Sequence, residues 1–280
     1  MGHDMHGGGR LSDWCVRLAS NVSPQLQDDA GRCKWAQKEK PVKHCGLVTV
    51  GCNTVKYTSP VFAGLSFGGT YSFSNDTNFA NNRQYSVGAS YVNGGFLLAA
   101  AYLQANNPSS TAIGAINNGG DQNFLASRLR VFGAGMTYTF ADATVALSYT
   151  NTDVANPVSS VYVGSITPAG GVASNLRFQN FEVNGKYQVS PAFYVGAMYT
   201  YTRATLSEPT GKLHPNYQTV GLMGDYNLSK RTDVYLQGAY QHVGGDTTGS
   251  VLDVAYVPGA DGVSSGGNQF VVRAGIRHKF

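Results

Sequence analysis

A handful of stretches in this chain carry residue types that do chemistry elsewhere. His6-Gly7-Gly8-Gly9 has the form of an esterase oxyanion loop, whose backbone N–H groups would hold a developing negative charge. An esterase also needs a G-x-S-x-G elbow to raise its nucleophile, and none follows. Glu208-Pro209-Thr210-Gly211-Lys212 contains a GK pair but lacks the glycine spacing that lets a phosphate loop wrap its ligand. His214, His242 and His278 are scattered, and no Ser-His-Asp arrangement is identifiable around them. Cys33, His44, Cys45 and Cys52 could be zinc ligands, but their spacing fits no paired CxxC knuckle. Cys15, Cys33, Cys45 and Cys52 could instead make two disulfides, in an oxidising compartment only. No catalytic constellation survives, so the expectation is a protein that is not an enzyme, with no cofactor and no metal.

The remaining candidates are charged residues with a spacing of two. Lys56, Glu182, Lys186, Asp225, Asp233, Arg273, Arg277 and Lys279 each fall on the polar parity of a stretch whose other parity is apolar. Strand side chains alternate faces, so such residues gather on one side of a sheet. Fixed charges on a narrow water-filled wall set ion preference, because the low-dielectric surroundings focus their field. The basic residues outnumber the acidic ones in this set, which predicts a weakly anion-favouring wall.

The elements that position them are legible from the same alternation. In the last stretch, Phe270, Val272, Ala274, Ile276, His278 and Phe280 share one face, and Gln269, Val271, Arg273, Gly275, Arg277 and Lys279 the other. Segment 64–73 places Leu65, Phe67, Tyr71 and Phe73 together; segment 177–189 places Phe181, Val183 and Tyr187 together with Glu182 and Lys186 behind. Comparable segments fall at 54–59, 83–92, 96–105, 127–140, 143–152, 192–203, 216–228 and 232–243, giving about eleven strands. Two irregularities stand out: Leu97 and Leu103 fall on the polar parity, and Arg128 and Arg130 on the apolar one, either above a bilayer or through a register-resetting bulge. Short turns (Asn93-Gly94, Ala141-Asp142, Ser190-Pro191) alternate with long polar loops at 74–82, 106–124, 153–176, 204–215 and 244–267. A soluble sandwich or surface adhesin would use shorter connections at both ends; the asymmetry favours a transmembrane antiparallel β-barrel with lipid on one face and water on the other.

Composition agrees. The chain has 280 residues, 13% charged, with 35 Gly and 17 Tyr, and no apolar run long enough for a membrane helix. The net charge of +4 comes from scattered Lys and Arg, so a nucleic-acid partner is not expected. Residues 1–52 stand apart: they hold all four Cys and both Trp, and no Tyr or Phe. They show no secretory signal and no strand or helix period. The expectation is two parts: 1–52, disordered or translated out of frame, and 53–280, a barrel domain.

The closing strand, together with NTVKYTSPVFAGLSFGGTYSFSN (53–75), RQYSVGASYVNG (83–94), AAYLQANNP (100–108) and LSKRTDVYLQGAYQHV (228–243), resembles the Gram-negative general diffusion porins, of the betaproteobacterial OmpC-like type. That resemblance implies an outer-membrane, water-filled channel for passive diffusion of small hydrophilic solutes and ions. It implies that Phe270, Val272, Ile276 and Phe280 form the signal read by the barrel-assembly machinery, and that the family member is a homotrimer in outer-membrane lipid. It also implies a parent of about sixteen strands, of which these eleven are the last and the first five, with most of the acidic constriction loop, are missing. An odd strand number leaves the first and last running the same way, so a truncated, non-functional remnant is one expectation. A substrate-specific channel and a pore-free adhesin-like protein are the alternatives.

Overall fold

The computed structural model describes residues 47–51 (backbone only), 54–74, 76–108, 115, 124–160 and 163–279. Cys15, Cys33, His44, Cys45 and Cys52 lie outside the described residues, as do His6 to Gly9 and Phe280.

Strands β1 (Leu47–Gly51), β2 (Thr54–Thr58), β3 (Leu65–Ser72), β4 (Arg83–Asn93) and β5 (Phe96–Asn106) follow one another as neighbours. The two-residue β6 (Phe124–Leu125) precedes β7 (Arg128–Phe140) and β8 (Ala143–Ala155). Short β9 (Ser159–Ser160) and β10 (Gly164–Ser165) precede β11 (Asn175–Ser190) and β12 (Phe193–Glu208). Then come β13 (Gly211–Leu213), β14 (Pro215–Asn227), β15 (Thr232–Gly245) and β16 (Asn268–His278). The main sheet runs β1-β2-β3-β4-β5-β7-β8-β11-β12-β14-β15-β16, with β13 on β12; β10, β9 and β6 form a small second sheet. Every ladder is antiparallel.

The eleven expected strands are all present, and β1 adds a twelfth to the path among the described residues. β1 pairs with β2 from Leu47↔Thr58 to Gly51↔Thr54, so strand pairing reaches past residue 53 into the segment set apart by composition. With twelve antiparallel strands the first and last run in opposite senses, which removes the parity problem that eleven posed. Among the described residues no ladder joins β1 to β16.

Connections alternate in length. At one end lie short turns, three of them at residues 94–95, 141–142 and 191–192. At Gly94 the backbone has φ +57°, and a Cβ on Gly95 would run into the Thr139 carbonyl oxygen, so this turn needs both glycines. At the other end the long connections begin. One of them differs from expectation: residues 204–215 are not an open loop. β12 continues to Glu208, turns at Pro209-Thr210, and returns as β13, because Leu206 and Leu213 pair across the hairpin and both enter an apolar cluster.

That cluster is the only substantial core among the described residues, and it explains the Leu103 irregularity. Leu103, Leu129, Val131, Val154, Leu176 and Leu206 line the polar-parity face at the long-loop ends of their strands. Ile166 and Leu252 fold back from the loops to cover them. Leu103 is thus buried under loops, whereas Leu97, opposite Thr137 near the short-turn end, stays half-buried and outside the cluster. Leu206 is fully buried, and Leu206→Ala is expected to cost about 2–5 kcal/mol from lost burial plus the cavity left behind. Urea unfolding of the refolded chain, followed by its heat-modifiable gel mobility, measures this; an unchanged midpoint would mean the loops do not pack on the sheet.

The other face is apolar and exposed. Phe132, Met136, Leu147, Phe181, Val183, Leu222 and Leu236 all lie open on it. Aromatic contacts run along its loop-side border, Tyr71 to Tyr85 to Tyr102 and Phe132 to Tyr149 to Phe181. A second set, Tyr138 with Phe140 and Phe193 with Tyr226, marks the turn-side border. From Phe132 to Phe140, strand rise and a tilt of about 40° give a height of about 21 Å, close to the roughly 25 Å apolar band of a transmembrane barrel.

Candidate functional site

The polar face has two regions. Across β2 to β8 it is small and neutral, lining an open cavity of about 560 Å³. Hydroxyl pairs bridge its strands: Thr54 with Ser72 at 2.8 Å, Thr70 with Ser86 at 2.7 Å, Ser66 with Ser90 at 2.9 Å. Alternate Ser, Thr and Gly here leave room for water against the sheet. Lys56 lies at the edge of this region, exposed, with no ion pair among the described residues.

Across β11 to β16, toward the short turns, the polar face is charged. The register sets Asp233 opposite Arg277, Tyr235 opposite Gly275, and Asp225 between Tyr194 and Tyr235. Arg277 Nε donates to Asp233 Oδ1 at 3.1 Å and its Nη2 to Asp233 Oδ2, a bidentate fork. The same Nη2 lies 3.9 Å from Asp225 Oδ2, which also accepts from the Tyr194 hydroxyl at 2.8 Å. Asp225 is 1% exposed and Asp233 5%, whereas the Arg277 side chain is 49% exposed. One guanidinium therefore covers two buried carboxylates and shows its own charge to the open side.

The other cations lean on aromatic rings. Lys186 Nζ sits 3.9 Å above the Tyr194 ring, and Arg273 donates from Nη2 to the Tyr235 hydroxyl at 3.0 Å. Ring faces attract cations without neutralising them, so both charges stay available to solutes. Glu182 is held apart from this group, accepting from Asn184 at 2.7 Å and from Thr200 at 3.4 Å.

The structure thus gathers Lys186, Asp225, Asp233, Arg273 and Arg277 into one patch. It leaves Lys56 and Glu182 elsewhere on the same face, and Lys279 exposed beyond the end of β16. Sequence parity missed Tyr194, which carries both Lys186 and Asp225. Its signal was an aromatic on the polar parity between Phe193 and Val195. On the opposite face of β16, Phe270, Val272 and Ile276 are all strongly exposed, forming an apolar stripe at the sheet's end.

An antiparallel sheet with an exposed apolar band, two aromatic borders and a polar, loop-covered reverse defines the wall of an outer-membrane β-barrel. The chain belongs to the Gram-negative porin family, whose model matches residues 44–246. It is similar to an outer membrane porin protein of Bordetella pertussis, 28% identical over 249 residues, which cover 81% of this chain and 57% of that protein. Among solved structures it resembles an anion-selective porin from Comamonas acidovorans, with TM-score 0.56, 19% identity, and coverage of 81% of this chain and 59% of that one. It also resembles the trimer form of OmpT from Vibrio cholerae, with TM-score 0.51, 18% identity, and coverage of 81% and 64%. The chain spans less than two thirds of the length of each of these proteins. Its family places it in the outer membrane.

Proposed function

We propose that this chain forms part or all of a water-filled outer-membrane channel through which small hydrophilic solutes and ions diffuse passively. The observation that carries the reading is the division of the sheet into an exposed apolar face and a polar reverse with fixed charges. No binding step and no cofactor enter. Lys56, Lys186, Arg273, Arg277 and Lys279, with Glu182, Asp225 and Asp233, line the pore in this reading. Because Arg277 masks Asp225 and Asp233, the unmasked charges are mostly positive, which favours anions. The Comamonas porin has that property in its name, but at 19% identity the likeness supports the fold alone, and the preference rests on this chain's own residues. Phe270, Val272, Ile276 and Phe280 present the closing strand to the barrel-assembly machinery in outer-membrane lipid; the homotrimer belongs to the family and is not carried over to this chain.

The test is conductance of the refolded chain in a planar bilayer across a salt gradient. The expected reversal potential has the sign of chloride preference. Exchanging Lys56 and Arg273 for Glu together should lower the anion-to-cation permeability ratio on the order of fivefold, the factor given by about 1 kcal/mol of field per ion. Clear cation selectivity in the unaltered chain would overturn the charge assignment. A folded chain with no conductance would favour a pore-free surface protein instead.

A further inference from the structure

Arg273 and Arg277 occupy matching places on β16 yet make different contacts, and the difference traces to one neutral side chain. The two arginines lie to either side of Gly275 on the polar face. Gly275, Tyr235 and Asp225 follow one another in a single register row across β16, β15 and β14. Asp225 is therefore the same number of strands and residues away from each arginine. Arg277 spans that distance: its Nη2 lies 3.9 Å from Asp225 Oδ2. Arg273 does not, and it has no ion pair among the described residues.

Tyr235 accounts for the asymmetry. Glycine at 275 leaves a slot in the wall, and the Tyr235 phenol lies in it; a Cβ on Gly275 would run into the ring and its hydroxyl. The hydroxyl accepts from Arg273 Nη2 at 3.0 Å, and the guanidinium carbon is 5.6 Å from the ring centre. The phenol thus holds Arg273 at β16, with β15 between it and Asp225.

Asp225 would otherwise draw Arg273 in. Its Oδ1 is buried with no hydrogen-bond partner among the described residues. A buried carboxylate oxygen without a donor is costly, and a second guanidinium would relieve it. Pairing would also remove a cation from the lumen, because an ion pair neutralises both charges. A ring face and a neutral hydroxyl hold the guanidinium without neutralising it.

We infer that Tyr235 is a positioning residue that keeps Arg273 from folding onto Asp225, so that the charge of Arg273 stays in the lumen as part of the anion-favouring wall. The effect on ions rests on the channel reading; the placement of Arg273 does not. Tyr235→Ala removes no charge, yet it is expected to lower the anion-to-cation permeability ratio roughly twofold, since Arg273 then neutralises an acid instead of facing water. Placement is read separately with phenylglyoxal, a guanidinium reagent, scored at Arg273 by peptide mass spectrometry on the full chain folded in detergent. Arg273 is expected to react about fivefold more slowly in Tyr235→Ala than in the unaltered chain, the shift that a partly exposed ion pair supplies. Adding Asp225→Asn to Tyr235→Ala should restore the reactivity, which a general loosening of the wall would not do. Gly275→Ala, which pushes the phenol from its slot, is expected to act in the same direction and replaces Tyr235→Ala if that variant does not fold. Unchanged or faster labelling of Arg273 in the folded variants overturns the inference, and so does a slowing that Asp225→Asn fails to reverse. Slowed labelling with an unchanged permeability ratio would overturn the role in ion preference. The expected labelling in a chain that never conducts would overturn the channel reading alone.

Discussion

Replacing Arg277 with Ala is expected to cost about 3 kcal/mol of folding stability, the low end of what breaking a buried ion pair costs. Asp225 and Asp233 are almost wholly buried, and Arg277 is the cation within 4 Å of both. Without it the two carboxylates keep the Tyr194 hydroxyl, the charge of Lys186 above the Tyr194 ring, and water on the open side, but no cation within 4 Å among the described residues. Asp225 Oδ1 already lacks a hydrogen-bond partner among the described residues, so the site has no spare donor. The low end applies because half the Arg277 side chain is exposed and solvent screens it. Arg277→Lys should recover part of the loss, since it restores the charge but not the fork. Urea unfolding of the three proteins in one lipid tests this. A second readout is independent of stability: unmasking two acids should shift reversal potential toward cations. An alanine variant with an unchanged midpoint and unchanged selectivity would mean that Arg277 does not cover the two acids.

The charged patch was half legible in the sequence. Parity alone places Arg273, Arg277, Asp225 and Asp233 on one face, because the side-chain period of a strand is fixed at two. Which of them touch is set by register between strands, and register depends on turn geometry. Ser229 illustrates this: its Oγ accepts from the backbone N–H groups of Arg231 and Thr232, fixing the turn that aligns Tyr226 with Val234 and Asp225 with Tyr235. A sum of charges treats Asp233 and Glu182 alike. In the fold one is masked by Arg277 and the other is not.

The strands were more legible than the loops for a related reason. Alternation survives in a strand because one face meets an apolar medium along its whole length. Leu103, Leu129 and Leu176 break it where long loops fold onto the polar face and replace water with Ile166 and Leu252. No local pattern announces that a distant loop will cover a residue. The β12–β13 hairpin escaped for the same reason, since Leu206 and Leu213 find their partners in that cluster. β1, Leu47-Val48-Thr49-Val50-Gly51, lacks the contrast of a charge beside an aromatic that Lys56 and Tyr57 give the equally short β2, so its alternation does not stand out. Arg128 and Arg130 keep the strict period and break only the expected residue type, because the apolar face ends below them.

The strongest test of which face meets lipid uses two adjacent residues. Leu147 lies on the apolar face of β8, 44% exposed, between Met136 and Val183 in the register and midway between the aromatic borders. Ser148 lies on the polar face, opposite Gly135 and Glu182, lining the open cavity. Leu147→Arg should cost about 2–4 kcal/mol in a bilayer, because a guanidinium near the midplane must thin the membrane or drag water to it. Ser148→Arg should cost under about 1 kcal/mol, because its charge enters water and lies opposite Glu182. It should also raise anion preference, since it adds a cation to the polar face. Strand pairing and propensity are nearly matched between the two variants, so the difference reports the medium on each side. Unfolding in lipid vesicles supplies the measurement. Equal costs would mean that neither face, or both, meets hydrocarbon. A larger cost at Ser148 would mean that the polar face is packed and the apolar one is free, the reverse of a channel wall.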